Sequence, residues 1–192
     1  MHGRLKPDEY VATALSALAH GRDCQSVLDQ LPVPLYTTDA RGIVTYSNPA
    51  ATEFAGREPK IGEDRWCVTA RLYSTTGEFM PHERCPMAEA LKKKQAVRDQ
   101  VAIAERPDGT RVAFRPFPTP IVDEAGELIG GLNLLIDVTD EQQRLLQEQA
   151  ERCRRLADAT YDRATSSALG TMAEGFSRTA EELRKQTTHE AS

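Results

Sequence analysis

The stretch from 104 to 140 constrains the fold more than any other part of this 192-residue chain. A Pro-Asp-Gly turn at 107–109 and an Asp-Glu-Ala-Gly turn at 123–126 separate three apolar runs. Asp tolerates left-handed backbone geometry and Gly supplies a positive φ, so such clusters are typical of hairpin turns. The apolar residues of each run are spaced by even numbers, which indicates strands and predicts an antiparallel three-stranded meander. These residues are Val97, Val101 and Ile103, then Val112 and Phe114, then Leu132, Leu134 and Ile136.

The end of the meander is its most specific part. The last run stops at Asp137-Val138-Thr139, and a polar pattern with helical spacing begins at once. These residues resemble the PAS family of sensor domains, in which a strand ends in an Asp-(Ile/Val)-Thr triplet that leads into a signalling helix. The resemblance extends back to about Leu31. It implies an α+β fold, with a five-stranded antiparallel sheet, inner helices on the sheet, and flanking helices at both ends.

Three further segments resemble a PAS subtype that is common in proteobacterial sensor histidine kinases. They read EDRWC at 63–67, PHERCPMA at 81–88 and ERPDGTR at 105–111, in that order along the chain. The resemblance implies a sensor or interaction module in signal transduction, which binds a small ligand or a partner and relays through its terminal helices. It also implies a two-component setting, with a histidine kinase or another signalling protein as the partner in trans and no output domain in this chain.

The chain is predicted to have three parts. The first is a helical cap with apolar residues at helical spacing, for which packing on the domain and dimerisation are both open interpretations. The second is the PAS domain, and the third is a signalling helix or helical hairpin with a disordered tail at 187–192. The parts cover residues 1–30, 31–139 and 140–192, and the apolar residues of the cap are Val11, Leu15 and Leu18.

Two apolar stripes mark the C-terminal part. Neither helix can bury its stripe alone in water, so the helices must pair with each other, with the sheet or with a second subunit. One free face of a PAS sheet is not expected to cover both ends of the chain, and we therefore expect a homodimer built by the terminal helices. An intramolecular hairpin is the alternative. Residues 150–183 also resemble a short alphaproteobacterial helical tail that implies no chemistry. The stripes are Leu146, Ala150, Cys153 and Ala157, then Leu169, Met172, Ala173, Phe176, Ala180 and Leu183.

The resemblance places a ligand pocket between the sheet and the inner helices. Asn48-Pro49-Ala50 fits the Asn-x-Ala pattern of the first inner helix, and Asn48 is foremost a helix cap. A second inner helix is predicted at 86–94, after Pro86. The pocket candidates are Asn48, Trp66, Tyr73, Phe79, Met87, Leu91, Phe114 and Leu134.

Asp137 and Thr139 are the candidate signal junction. In PAS proteins the triplet ties the last strand to the outgoing helix through hydrogen bonds and an ion pair, so the resemblance gives both residues a mechanical role. A Thr hydroxyl beside a helix start is also a good cap. The structural role and the signalling role are therefore expected to coincide.

Cys67, His82 and Cys85 are the one group of soft metal ligands. Their spacing allows three ligands on one metal, but no fourth is evident, so no metal is predicted. Cys85 precedes a predicted helix, whose dipole would lower the thiol pKa and raise its reactivity. A thiol or metal sensor is therefore an alternative function. A structural dimerisation protein with a filled core, in which such cysteines are buried small hydrophobes, is another.

Bulk properties exclude several classes of protein. The net charge of −5 gives no basic field for nucleic acid or anionic lipid. The chain has no apolar run long enough to span a membrane. Its four cysteines form no Cys-x-x-Cys pair, which is typical of free thiols in a reducing cytoplasm, so we expect a cytoplasmic protein.

Catalysis and two common PAS cofactors are not predicted. The sequence has no Gly-rich nucleotide loop after a strand, no Gly-x-Ser-x-Gly elbow and no His-Glu-x-x-His pair, so no catalytic residue is expected. His189 lies in a polar tail without the helical context of a phosphorelay histidine. His82 precedes the inner helix that would carry a haem ligand, and Cys85 lacks the Asn-Cys-Arg context of a flavin photosensor. The identity of any ligand stays open.

Overall fold

The computed structural model describes residues 6–20 and 24–184. The predicted disordered tail and His189 lie outside these residues. The described elements follow the order expected from the sequence, with the inner helices inserted between the second strand and the meander. In chain order they are α1 (Pro7–His20), α2 (Cys24–Asp29), β1 (Leu35–Asp39), β2 (Val44–Ser47), α3 (Pro49–Ala55), β3 (Arg71–Tyr73), β4 (Phe79–Met80), a short 3₁₀ helix (His82–Arg84), α4 (Pro86–Lys93), β5 (Ala102–Glu105), β6 (Arg111–Pro116), β7 (Thr119–Val122), β8 (Leu128–Asp137), α5 (Thr139–Ala159) and α6 (Arg163–Arg184).

Local sequence explains where the inner helices begin and end. Asn48 caps α3, because its side chain accepts a hydrogen bond from the Ala51 amide at 2.9 Å, and Pro49 occupies the first helical position. Gly56 ends α3 in the left-handed conformation, with φ of 64°. Cys85 caps α4 in the same way, with its sulfur accepting from the Ala88 amide at 3.5 Å.

The sheet is antiparallel, with the strand order β2-β1-β8-β6-β5-β3-β4 and β7 paired beside β6 on β8. It has eight strands in the described part of the chain, not the five expected. The β3–β4 hairpin adds two strands at one edge. The second run of the meander is split into β6 and β7, which pair in succession with β8.

The split in the meander lies at Phe117 and Pro118. The Phe117 amide donates to the Leu134 carbonyl at 2.8 Å and to the Asn133 side-chain oxygen at 3.1 Å. Pro118 has no amide proton to continue the ladder, and its carbonyl accepts from the Val97 amide instead. β5 is shorter than expected, and Val97 and Val101 lie before it.

The terminal helices share the outer face of the sheet. The inner face, under α3 and α4, carries Tyr36, Phe54, Trp66, Met87, Leu91, Phe114 and Leu135. On the outer face, α1 and α2 cover the β1 and β8 side, and α5 and α6 cover the β5 and β6 side. The N-terminal stripe is thus a cap packed on its own domain, and the expectation that one face cannot cover both ends is wrong. The outer-face residues include Val11, Leu28, Leu35, Leu132 and Leu134, then Ile103, Ala113, Leu146, Ala180 and Leu183.

The C-terminal helices form the hairpin that was the alternative to a dimer. α5 and α6 pack along each other, and Asp162 accepts from the Thr165 amide at the start of α6 at 2.8 Å. The seam follows Leu169, Ala173, Phe176, Ala180 and Leu183, at alternating spacings of four and three. Met172 was expected on this stripe, but it is 51% exposed because it lies about 100° around the helix from Ala173.

A charged cluster fastens the hairpin to the sheet. Arg111 of β6 donates to Glu105 of β5 at 2.9 Å and pairs with Glu182 of α6. Its guanidinium also lies 4.0 Å from the ring centroid of Tyr73.

Among the described helices, none combines the length and apolarity required to cross a bilayer.

Candidate functional site

A buried polar network lies inside the inner face. The fully buried Tyr36 hydroxyl donates to the Trp66 carbonyl at 2.9 Å and accepts from the Asn133 side-chain amide at 2.9 Å. Burial raises the pKa of Tyr36 well above its usual value, and the thiols of Cys67 and Cys85 raise it further. The phenol therefore stays neutral and can donate its proton to the Trp66 carbonyl.

Two thiols border this network. The Cys67 sulfur lies 3.1 Å from the Thr69 hydroxyl, and the Cys85 sulfur lies 3.8 Å from the Trp66 carbonyl. Burial raises the pKa of the Cys67 thiol, and it raises that of Cys85 to about 12. The expected lowering of the Cys85 pKa is wrong. The amides of the helix start do reach the sulfur, but removal from water outweighs them.

The three soft ligands do not form a metal site. Cys67 and Cys85 are buried at the inner face, whereas His82 is half-buried at the start of the short 3₁₀ helix. No three His, Cys, Asp or Glu residues in 6–20 and 24–184 are grouped so that they could hold a metal ion. Burial lowers the pKa of His82, and the positive charge of Arg57 acts in the same direction.

Four of the pocket candidates do come together. Trp66, Met87, Leu91 and Phe114 are all buried in one cluster of the inner face. The Trp66 backbone has a positive φ of 70°, and its ring lies on Gly42. A β-carbon at Gly42 would lie 2.1 Å from that ring, so this turn needs glycine for space as well as for its own φ of 84°.

The other four candidates lie elsewhere. Leu134 faces α1 on the outer side, because alternation along β8 turns its neighbours Asn133 and Leu135 inward. Phe79 is 62% exposed, and its ring packs edge-on against Tyr73, which is half-buried beside Arg111. The fourth candidate is Asn48.

Asn48 is a structural residue. It is fully buried, and its side-chain oxygen accepts from the Leu35 and Ala51 amides at 3.0 and 2.9 Å. Its side-chain amide donates to the Leu28 and Val33 carbonyls at 3.2 and 3.0 Å. These bonds join α2, β1 and α3 and leave no group free for a ligand.

Sequence reasoning missed three residues of this site. Tyr36 and Asn133 were not recognised, although a polar residue inside an apolar strand run is a signal that it faces a partner. Gly131 of β8 lies directly under α4. A β-carbon there would be 2.6 Å from the Met87 methyl carbon and 2.8 Å from a Leu91 methyl carbon. The missing side chain is what lets the helix approach the strand.

The signal junction begins six residues after Gly131, at the end of β8. Asp137 accepts from the Thr139 amide at 2.8 Å, and the Thr139 hydroxyl accepts from the Ala113 amide of β6 at 3.1 Å. The ion pair that the resemblance implied for the triplet is not found among the described residues; Arg115 of β6 instead pairs with Glu141 of α5 at 3.2 Å. The start of α5 is thus bonded to β6 as well as to β8.

The family follows from a match that covers more than half of the chain. The model of the family described as "PAS fold" matches residues 28–143. The chain belongs to the PAS fold family. Members of this family are generally sensory modules in signalling. A search of curated proteins found no match.

Solved structures of PAS and LOV domains are similar to this chain at low sequence identity. The LOV domain of the Erythrobacter litoralis EL346 blue-light activated histidine kinase is 16% identical, covers 57% of this chain and 98% of its own, and has a TM-score of 0.42. The Rhodobacter sphaeroides LOV protein is 12% identical, with coverages of 91% and 98% and a TM-score of 0.46. The PAS domain of the fruit-fly ELK potassium channel is 13% identical, with coverages of 65% and 96% and a TM-score of 0.48.

Proposed function

We propose that this PAS protein is a non-enzymatic sensor or interaction module in signal transduction. A small ligand or a protein partner shifts the packing of α4 on the sheet, and the α5–α6 hairpin carries the shift outward. The observation that supports this most is the course of β8. One strand holds Gly131 under α4, Asn133 in the buried network and Asp137 at the signal junction.

The relay needs two alternative packings, because a ligand shifts an equilibrium only by its difference in affinity for the two states. The hairpin provides a candidate second state. It is held on the sheet by buried apolar contacts, by the Thr139–Ala113 bond and by the Arg111–Glu182 pair. None of these contacts belongs to the inner-face cluster, so they can break without exposing the inner core. A docked and a released hairpin are the two states of the proposal.

The output is proposed to pass in trans, to a histidine kinase or another signalling protein of a two-component system. The support is the resemblance of residues 63–67, 81–88 and 105–111 to kinase-attached PAS domains. A cytoplasmic location is part of the proposal, and it is supported by the free thiols of Cys24, Cys67, Cys85 and Cys153.

A homodimer also stays a proposal, on a surface that shares only Leu15 and Leu18 with the one first expected. The terminal stripes pack within the chain, but Leu15 and Leu18 are only partly buried there. A groove between α1 and the sheet is open, and it is lined by Leu15, Leu18, Ile121, Val122 and Ile129, among others. Light scattering of the wild type and of a Val122→Glu, Ile129→Glu double variant tests this surface. A wild-type mass of one subunit at micromolar concentrations contradicts the dimer.

The relay is tested by amide hydrogen exchange in α5 and α6. Met87→Ala removes the contact of α4 with Gly131, and we expect it to speed exchange in the hairpin beyond its effect on global stability. Leu28→Ala is the matched control, because it opens a similar cavity under α2 on the other face. If Met87→Ala and Leu28→Ala lose the same stability and speed amide exchange in the hairpin equally, a relay through α4 and β8 is contradicted.

A structural protein with a filled core is the second candidate function. Trp66, Met87, Leu91 and Phe114 pack against one another and are each almost inaccessible to solvent, which favours this alternative. Native mass spectrometry of the purified protein separates the two. A retained small molecule supports the sensor. The number of subunits in the same spectrum also tests the dimer.

A further inference from the structure

We propose that a cleft between the segment 57–70, which follows α3, and His82 of the short 3₁₀ helix binds the carboxylate of a small organic acid. This proposal rests on the proposed sensor function and names the class of ligand. The cleft is open at the surface and has a volume of about 400 Å³, which is within the range of small-molecule sites. Its lining includes Arg57, Lys60, Asp64, Cys67, Thr69 and His82. We call it the Arg57 cleft.

Arg57, which lines this cleft, has one buried hydrogen-bond donor without a partner in the described part of the chain. Its Nη2 donates to an Asp64 carboxylate oxygen at 2.6 Å, but its Nε is buried and finds no acceptor among the described residues. The same Asp64 oxygen already accepts from the Lys60 amide at 2.9 Å. An unpaired donor on a charged, partly buried group is costly. A ligand oxygen at Nε would remove that cost.

His82 presents a second unused group. Its Nε2 is buried and has no hydrogen-bond partner among residues 6–20 and 24–184. The imidazole is close enough to Arg57 and Asp64 to feel both charges. As a neutral ring it can place an N–H at Nε2. Arg57 and His82 thus line the same cleft, and each has a buried polar atom that a ligand entering between them could satisfy.

The charge of the cleft favours an anion of low charge. Its lining includes the cations Arg57, Lys60 and Arg65 and the anions Glu63 and Asp64, which leaves one positive charge in excess when His82 is neutral. Guanidinium groups bind planar carboxylates with good geometry. A single carboxylate balances the excess charge, whereas a doubly charged phosphate overcompensates it.

The position of the cleft links this ligand to the proposed relay. Arg57 directly follows Gly56, which ends α3, and His82 opens the short 3₁₀ helix that leads to Cys85, the cap of α4. A carboxylate held by Arg57 and His82 would bridge the segment just after α3 and the short helix just before α4. It would thus favour one packing of α4 on β8 over another.

The test is isothermal titration calorimetry, with thermal shift, of the full chain with acetate, lactate and succinate, and separately with inorganic phosphate. Sodium chloride at equal ionic strength is the reference. We expect saturable binding of at least one of the three acids, and loss of at least tenfold in affinity in Arg57→Gln and His82→Leu. Arg84→Gln, an exposed neighbour outside the cleft, is the matched control and should bind as the wild type does.

His82→Leu carries the test if Arg57→Gln fails to fold, since the His82 ring makes no hydrogen bond at Nε2 that folding would lose. Three results overturn the proposal: no acid binds beyond the chloride reference, phosphate alone binds, or the His82→Leu variant binds as tightly as the wild type. An acid that binds without changing hairpin exchange supports the cleft and contradicts the relay. If Met87→Ala speeds exchange in the hairpin but no acid binds, the relay is supported and the cleft is contradicted.

Discussion

The Met87 methyl carbon lies over the α-carbon of Gly131, so close that a β-carbon on Gly131 would be 2.6 Å from it. Leu91 flanks the same point at 2.8 Å. The inner helix α4 therefore rests directly on the β8 backbone. Any shift of this helix acts on the strand that ends at the signal junction.

Replacing Gly131 by Ala is expected to destabilise the protein by about 1–3 kcal/mol, because Met87 and Leu91 must both move out of a packed core. Urea unfolding measures the loss. Gly170→Ala in α6 is the control, since nothing lies within 4 Å of the added methyl group. It should stabilise the protein by about 0.5–1 kcal/mol. A neutral Gly131→Ala would show that α4 does not rest on β8 at this distance.

The Asn48 side chain is expected to contribute about 2–4 kcal/mol to the free energy of unfolding, because its removal takes away the helix cap and leaves its buried partners unpaired. Asn48→Ala should show this loss in urea unfolding. Asn48→Asp keeps the acceptor but turns an oxygen toward the Leu28 and Val33 carbonyls. Its defect should therefore ease as the pH falls and the carboxyl group becomes a donor. An Asn48→Ala variant within about 0.5 kcal/mol of the wild type would contradict the bonding described.

Cys67 and Cys85 are expected to resist alkylation in the folded protein. Both are buried, and burial raises the pKa of each, to about 12 for Cys85, so the thiolate is scarce at pH 8. Half-buried Cys24 should react first with iodoacetamide, as peptide mass spectrometry would show. Urea-unfolded protein is the control, in which all four thiols should react. Fast labelling of Cys85 in the folded state would contradict this prediction and support the thiol-sensor alternative.

Glu105 is expected to make stability depend on pH in the acid range. Burial alone would raise its pKa, but the hydrogen bond and charge of Arg111 hold the pKa below its ordinary value. The stabilisation is therefore present above the unfolded pKa of about 4.3 and is lost as the pH falls through the lower folded value.

Glu105→Gln should cost about 1 kcal/mol at pH 7, and its gap to the wild type should narrow below pH 5. Urea unfolding between pH 3 and pH 7 measures the gap. Glu58→Gln, at an exposed site, is the control and should follow the wild type throughout. A gap that widens with acid would show that the sign of the Glu105 shift is wrong.

The hydroxyl of Thr139 is expected to hold the start of α5 on β6. Thr139→Val keeps the shape but removes the oxygen that accepts from the Ala113 amide, which should cost about 1 kcal/mol and speed amide exchange in the first turns of α5. Thr139→Ser retains the oxygen and should behave as the wild type does. Unchanged exchange in the valine variant would remove Thr139 from the junction.

Local rules explain what the sequence could predict. The Asp137–Thr139 triplet, the two hairpin turns and the Asn48 cap depend on neighbours within a few residues, and the structure has each of them where expected. The missed features depend on distant partners. The inward side of β8 at Asn133 is set by its register with β1, and a shift of one residue would turn Leu134 inward instead.

Competition between two effects accounts for the wrong pKa direction at Cys85. The helix start is visible in the sequence, but the burial that outweighs it is set by tertiary packing, which includes the Trp66 carbonyl nineteen residues away. The split of the meander, in contrast, had a local signal. Pro116, Pro118 and Pro120 alternate along the second run, and a proline cannot donate to a ladder.

The hairpin also has a mechanical consequence. With 21 residues, α5 is about 31 Å long, so a swing of about 10° at Thr139 moves its far end by about 5 Å. α6 returns the chain to Glu182, beside Arg111 and close to the same fulcrum. For a given rotation at Thr139, the displacement of the hairpin is largest at its tip, near 160–162, and smallest where α6 ends. A partner bound to the tip would therefore be displaced by several ångströms, whereas a partner bound beside Glu182 would hardly move and would respond only to a change in contact strength.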